Sequence, residues 1–203
     1  NTTKTATIAF LASGIEGLKV RITAKAANDA EVETILQHEE QHIRDILGNV
    51  IFGIDDDTIE SSVITLLEKR RLTIALAEMT SGGLASSRLA NLDREGKTFL
   101  GGIVPSSPEA RHKILGVEPE FIGTNNAAKR LAQAVKSLFS ADIGLSITSS
   151  HDLEEGTAGG ETYLGIAEAG GTIVERVLLP GDRARMGEFS IISLLNGLRL
   201  RLT

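Results

Sequence analysis

Residues 72–83 read Leu-Thr-Ile-Ala-Leu-Ala-Glu-Met-Thr-Ser-Gly-Gly, and the fold of the chain turns on them. The apolar run Leu72 to Ala77 reads as a strand. Leu84-Ala-Ser-Ser-Arg-Leu-Ala-Asn-Leu92 reads as a helix. Between them lie a glutamate, two hydroxyls and two glycines. Strand, glycine turn and helix form the repeating unit of a layered α/β domain. Amides at a helix N-terminus favour an anion, and glycines let a ligand approach the backbone. The turn can therefore hold a phosphate or the oxyanion of an acyl transfer, with Thr80, Gly82 and Gly83 as binding residues, or be an ordinary strand-to-helix turn with a Ser or Thr cap. Met79 stands out, because a thioether can neither attack, donate nor carry charge.

The alternation continues on the C-terminal side. Strands are predicted at 72–77, 99–104, 142–148, 162–168 and 172–179, and helices at 84–93, 108–115, 126–139 and 184–201. Three more strand ends carry polar loops: Gly101 to Pro108, Ser146 to Asp152, and Pro180-Gly-Asp-Arg183. In open α/β sheets ligands bind at the carboxyl ends of strands. Ser107, Thr148 and Arg183 thus join Thr80, Gly82 and Gly83 as candidate contacts to a phosphorylated small molecule.

On the N-terminal side a smaller α/β unit is predicted. Thr5 to Leu11 and Leu18 to Ala24 read as strands, the second with period-two alternation. A helix begins at Asn28-Asp29, carries Val32, Ile35, Leu36, Ile43, Ile46 and Leu47 on one face, and ends at Gly48. Val50-Ile-Phe52 reads as a short strand. Asp57-Thr-Ile-Glu60 reads as a capping box opening the next helix, with Asp57 as cap and Glu60 reaching back. The domain boundaries are placed at 1–57 and 58–203.

Composition excludes several functions. The 203 residues contain no cysteine, which removes thiol catalysis, disulfides and thiolate-bound metals and fits a reducing, cytoplasmic compartment. A net charge of −6 with dispersed basic residues argues against nucleic acid, as do aromatics at 3%. No apolar run approaches the ~20 residues that span a bilayer. The start, Asn1-Thr-Thr-Lys4, has neither Met nor a signal-peptide pattern, so the chain is expected to be cut from something longer.

His38-Glu-Glu-Gln-His42 matches the helical zinc motif H-E-x-x-H, with Glu39 as general base. The motif needs a third ligand, and Ile43-Arg-Asp-Ile46 does not extend it. Helical angles also put Glu39 near the apolar stripe and both histidines on its flank. A solvated helix flank is the expectation, and no metal is predicted. Asp55-Asp-Asp57 lacks the glycine and bidentate glutamate of a calcium loop.

Taken in order, several of these stretches resemble the CinA family of competence/damage-inducible proteins. The run Leu72 to Gly83 is similar to the family's strand followed by E-S-C-T-G-G. Phe99-Leu-Gly-Gly-Ile-Val104 resembles the segment before its Y-S-N-E-x-K, and Ile114-Leu-Gly-Val117 the L-G-V after it. Ala141-Asp-Ile-Gly-Leu-Ser-Ile-Thr148 resembles A-D-x-G-L-A-V-T-G, and Gly181-Asp-Arg183 its G-D-R. Phe10-Leu-Ala-Ser-Gly14, Ile43-Arg44, Leu47-Gly48 and Ile51-Phe-Gly53 resemble its small KH-like domain. The resemblance implies a C-terminal domain of the nicotinamide mononucleotide deamidase type, working in NAD salvage without a cofactor, in a homodimer. It also implies an N-terminal molybdopterin-binding-like domain in the full-length chain. The KH-like turn Gly14-Ile-Glu-Gly17 has the two glycines of an RNA-binding loop, but Glu16 would repel phosphates.

The departures from the family bear on chemistry. Its carboxamide hydrolysis is taken to use a serine activated by a lysine, with a tyrosine nearby. Here the serine position is Met79, the tyrosine position Ser106 and the lysine position Arg111. The asparagine of Y-S-N is Pro108, the serine of G-A-V-S is Asn126, and G-I-A-G-P has become Ser149-Ser-His-Asp-Leu153. A hydroxyl is a poor nucleophile until a base takes its proton, and arginine does not deprotonate. The expectation is a retained nucleotide-binding or assembly role with weakened or lost hydrolysis. The alternative is an active amidohydrolase with a relocated serine, Ser81 or Ser106, assisted by His112. The third is zinc chemistry at His38, Glu39 and His42.

Overall fold

The structure is a computed structural model that describes residues 5–12, 17–116, 123–149 and 159–203. The chain divides into two compact units, Asn1–Asp56 and Asp57–Thr203.

In the first unit, β1 (Thr5–Ala12) and β2 (Leu18–Lys25) form an antiparallel pair with Ile8 opposite Ile22 and Phe10 opposite Val20. Helix α1 (Asp29–Leu47) opens on Asn28, whose side chain accepts from the Glu31 amide, and ends at Gly48. A two-stranded sheet is too small to cover the whole apolar stripe of a 19-residue helix. Ile46, expected on the packed face, is accordingly exposed, as are Ile8 and Phe10. The strand expected at Val50–Phe52 is absent. Gly48–Val50 instead forms a single 3-10 turn, because Gly48 has φ +54 and the chain leaves the helix too tightly to extend.

The second unit is a three-layer α/β sandwich. Its elements are α2 (Ile59–Arg70), β3 (Ile74–Glu78), α3 (Leu84–Leu92), β4 (Phe99–Ile103), α4 (Pro108–Leu115), α5 (Asn125–Phe139), β5 (Ile143–Ser149), β6 (Gly160–Glu168), β7 (Gly171–Leu179) and α6 (Arg183–Leu202). The capping box of α2 lies one residue later than expected: Thr58 is the cap and Ser61 its partner. Glu60 instead turns inward and pairs with Arg88 at 3.1 Å.

The sheet order is β4-β3-β5-β6-β7, with β3 parallel to β4 and β5, and β6 antiparallel to both its neighbours. Two reversals return β7 to the direction of β5. All four strand ends singled out in the sequence therefore emerge at the same end of the sheet. The start of β3 is shorter than predicted, because Arg71 adopts a left-handed conformation and the Leu72 amide closes α2 onto Leu67. Thr73 and Asp142 then lock the two strand starts together, with the Thr73 amide and hydroxyl donating to the Asp142 carboxylate at 2.8 Å each.

The two faces of the sheet are built differently. Ile74, Leu76, Leu145, Ile147, Leu164 and Ile166 are buried on the face covered by α2, α3 and α6. The face under α5 is lined by Ala75, Ala77, Gly144, Ser146 and Gly165. A Cβ on Gly144 would stand 2.0 Å from the Ala132 carbonyl oxygen, and one on Gly165 2.7 Å from that of Ala128. Small residues there let α5 lie directly on the strands, and the Ser146 hydroxyl donates to the Ala128 carbonyl at 2.7 Å.

Candidate functional site

The site stands at the end of β3, where alternation decides what each side chain faces. Glu78 points to the α3 and α6 face and is fully buried. Its carboxylate accepts from the amides of Ala85 (3.0 Å) and Ser86 (2.7 Å) and from the hydroxyls of Ser81 (2.6 Å) and Ser86. Those amides belong to the second and third residues of α3, whose own cap position is Gly83 and offers no side chain. Glu78 thus caps the helix from the preceding strand. This changes the expectation for the turn: the anion favoured by the α3 N-terminus is the protein's own carboxylate. The amides of Gly82 and Gly83 make no backbone hydrogen bond among the described residues. Both glycines have positive φ, and a Cβ on Gly82 would meet open space.

Met79 points the other way. Its side chain packs against the apolar cluster of Ala75, Ala77, Ala127, Leu131 and Val135 on the α5 face. Its amide bonds the Ile147 carbonyl at 2.9 Å, which continues the β3–β5 register and brings Met79 beside Thr148. Thr148 is fully buried, its hydroxyl has no partner among the described residues, and Tyr163 lies directly opposite it on β6. Thr80 is buried and its hydroxyl donates to Ser149 at 3.0 Å. Gly187 of α6 packs on this turn, where a Cβ would lie 3.3 Å from the Ser81 Cα.

The end of β4 contributes a cation. Arg111, in the first turn of α4, is 2% exposed. Its Nε donates to the Ser107 carbonyl at 3.2 Å and its Nη2 to the Ser106 carbonyl at 2.8 Å, while Nη1 is buried with no partner among the described residues. Burial holds its pKa below the ordinary arginine value, with the Glu109 charge pulling the other way. Ser107 caps α4 through the Ala110 amide at 3.1 Å. Ser106 is exposed, and its hydroxyl reaches only the Val104 carbonyl at 3.5 Å, which is beyond a well-formed hydrogen bond. His112 is exposed on α4.

The end of β7 leads to Asp182, which caps α6 through the Arg185 amide at 2.9 Å, and to the exposed Arg183. Residues 150–158, which include most of the stretch compared with G-I-A-G-P, lie outside the described residues, as do residues 1–4, 13–16 and 117–122.

The fold thus brings Met79, Thr80, Ser81, Thr148 and the two glycines together at one turn. It adds Arg111 with its clamp on Ser106 and Ser107 at the neighbouring strand end. Two features escaped the sequence reading. One is the capping role of Glu78, for which an acid seven and eight residues before the capped amides was the only signal. The other is the row on β6 and β7 in which Tyr163 donates to Glu161 at 2.9 Å and Arg176 pairs with Glu161. The Tyr163 hydroxyl is pushed up in pKa by that hydrogen bond and then by burial. Alternation puts 161 and 163 on one face, but the β6–β7 register that adds Arg176 is not readable locally.

His38 and His42 lie on the exposed flank of α1. His38 stands 3.5 Å from Glu39 of its own motif. Among the described residues no group of three metal-binding side chains forms.

Comparison with known proteins places this geometry. Residues 56–202 match the CinA C-terminal domain and residues 1–53 the KH domain of the damage-inducible protein CinA. A CinA-like protein of Frankia casuarinae is 36% identical over 202 residues, covering 96% of this chain and 46% of that protein. A putative competence-damage inducible protein of Moorella thermoacetica is 38% identical over 176 residues, covering 81% and 42%. The chain thus spans under half the length of these relatives. A solved competence or damage-inducible protein from Enterobacter asburiae superposes with a TM-score of 0.64 at 24% identity, over 73% of this chain and all of that one, a likeness of fold. Two matching domain families in the order KH then C-terminal, over a sheet whose ends carry the family's turn sequences, make this chain a member of the CinA family.

Proposed function

We propose that the second unit binds a pyridine nucleotide at the carboxyl end of its sheet, and that carboxamide hydrolysis there is weakened or lost. The observation that carries this reading is the packing of Met79. At the position where the resemblance puts the nucleophile, a thioether is held in the apolar cluster under α5. No hydroxyl stands in its place. Arg111, at the position of the activating lysine, is permanently charged and cannot take a proton. Binding is supported by what remains: the open glycine turn at Gly82 and Gly83, the unpaired Thr148 hydroxyl, the exposed Ser107 and Arg183, and the Thr80–Ser149 pair.

One observation favours the alternative of a relocated serine. Ser81 donates to the Glu78 carboxylate at 2.6 Å, the contact expected of a nucleophile and its base. The same carboxylate accepts three further donors and holds the end of α3, so taking the Ser81 proton would compete with its capping role. Ser106 has no such partner.

The test is incubation of the purified chain with nicotinamide mononucleotide, following ammonia and the acid product. No turnover above buffer, together with saturable binding of the nucleotide, is the expected result. Turnover abolished in Ser81→Ala overturns it in favour of the relocated serine. Turnover that survives Ser81→Ala and dies in Ser106→Ala moves the nucleophile to the β4–α4 loop.

A further inference from the structure

Among the described residues, three polar atoms near this sheet end are buried with no hydrogen-bond partner: Nη1 of Arg111 and the Oγ1 atoms of Thr148 and Thr162. The guanidinium is the most consequential. Its Nε and Nη2 are used on the carbonyls of Ser107 and Ser106. No carboxylate of the described residues lies within ion-pairing distance of it. A buried charge-bearing N–H without an acceptor is costly, and the acceptor that best complements a guanidinium is a carboxylate or phosphate. Of the other cationic features at this sheet end, the N-terminus of α3 is already neutralised by Glu78, and Arg183 stands in solvent, where water competes for its charge. Recognition of an outside anion therefore falls to Arg111.

Donor inventory makes the choice sharper. A carboxamide offers one acceptor and one NH2 donor group, whereas a carboxylate offers two acceptors and no donor. Arg111 presents only donors. A carboxamide turned toward it can use its oxygen alone, and that bond lacks the charge on the acceptor that a carboxylate brings. Thr148, beside Met79 on the neighbouring strand, is a second donor left unused at these strand ends, and the partly buried Met79 side chain lies on the apolar α5 face.

We propose that this site discriminates by charge, preferring a pyridine nucleotide that carries a ring carboxylate over the corresponding carboxamide, with Arg111 Nη1 as the donor to the carboxylate. This rests on reading the site as a pyridine-nucleotide pocket. The chain is then a receptor for the acid that the family's hydrolysis would yield, rather than for the amide it would consume.

Titration calorimetry at neutral pH with nicotinate mononucleotide, nicotinamide mononucleotide and ribose 5-phosphate tests the proposal. The acid should bind about tenfold or more tightly than the amide, the ratio that one charge-assisted hydrogen bond can supply. Ribose 5-phosphate should bind no better than the amide, and Arg111→Met should bring the acid to the amide's affinity. A smaller ratio in the unmodified chain overturns the proposal, as does a preference that survives Arg111→Met. Ribose 5-phosphate binding as tightly as the acid also overturns it, since Arg111 would then serve the phosphate. Equal binding of the two nucleotides sinks only the charge discrimination, whereas binding of none of the three ligands sinks the pyridine-nucleotide reading as well. If Arg111→Met does not fold, Arg111→Gln keeps an N–H donor for the loop carbonyls, removes the charge and carries the same expectation.

Discussion

The β3–α3 and β4–α4 turns sit side by side at one end of the same sheet, yet their polar groups are left in opposite conditions. At the first, Glu78 is surrounded by four donors, two of them helix amides. At the second, Arg111 has two acceptors and a buried nitrogen with none. A saturated buried charge has nothing left for a ligand and works as framework. An unsaturated one has capacity left, and inside a protein that capacity is worth more than it would be in water. The contrast separates what holds this site together from what can recognise something.

Four substitutions and a pH series test that contrast. Glu78→Ala should have the largest effect, a loss of roughly 3–4 kcal/mol in denaturant unfolding, because it orphans two helix amides and removes a charged acceptor. A loss under about 1 kcal/mol would show that water replaces the carboxylate and that the turn is not frozen by it. Gly83→Ala comes next, at about 1–2 kcal/mol, since φ +96 is strained for any residue with a Cβ. Ser81→Ala should lower stability by about 1 kcal/mol, the value of one hydrogen bond, and leave nucleotide binding intact. Arg111→Met inverts the pattern. Removing a buried, unpaired charge should change stability by less than about 1 kcal/mol, although it abolishes the preference for the acid.

The smallest effect concerns Asp142. Its carboxyl is held below the ordinary aspartate range, first by the Thr73 hydroxyl and then by the Thr73 amide. A depressed native pKa contributes stability that is present above the unfolded value of about 3.9 and is lost as pH falls through the native value. Asp142→Asn should therefore lower the melting temperature slightly near neutrality, where that contribution is fully present, and flatten its fall on the acid side of about pH 4. An unaltered acid limb would show that this exposed latch does not couple to folding.

Much of the fold was legible along the chain. The alternation of apolar strands with amphipathic helices from Leu72 onward needs only local periods of two and 3.6 residues, and each predicted strand and helix of the second unit is present. Helix ends were legible where a side chain announces them, as at Ser107 before Pro108 or Asp182 before Arg183. They were misplaced where two capping residues compete, so that Thr58 with Ser61 replaced Asp57 with Glu60. A three-residue apolar stretch such as Val50–Phe52 has too little pattern to tell strand from turn, and φ +54 at Gly48 decided it.

The site divides along the same line. Resemblance and residue types alone carried the expectation that Met79, Ser106 and Arg111 stand at the family's serine, tyrosine and lysine positions, because a nucleophile or base is a property of one side chain. They also determined that Gly82 and Gly83 could form an open turn. Only the tertiary structure decided that the Glu78 carboxylate fills the α3 N-terminus, that Met79 belongs to the α5 core, and that Arg111 is buried with a nitrogen to spare. Hydrogen-bond saturation is a property of neighbours in space. The bonded partners of Glu78 and Arg111 lie close along the chain, but their burial, and the α5 cluster against which Met79 packs, come from elements far apart in sequence.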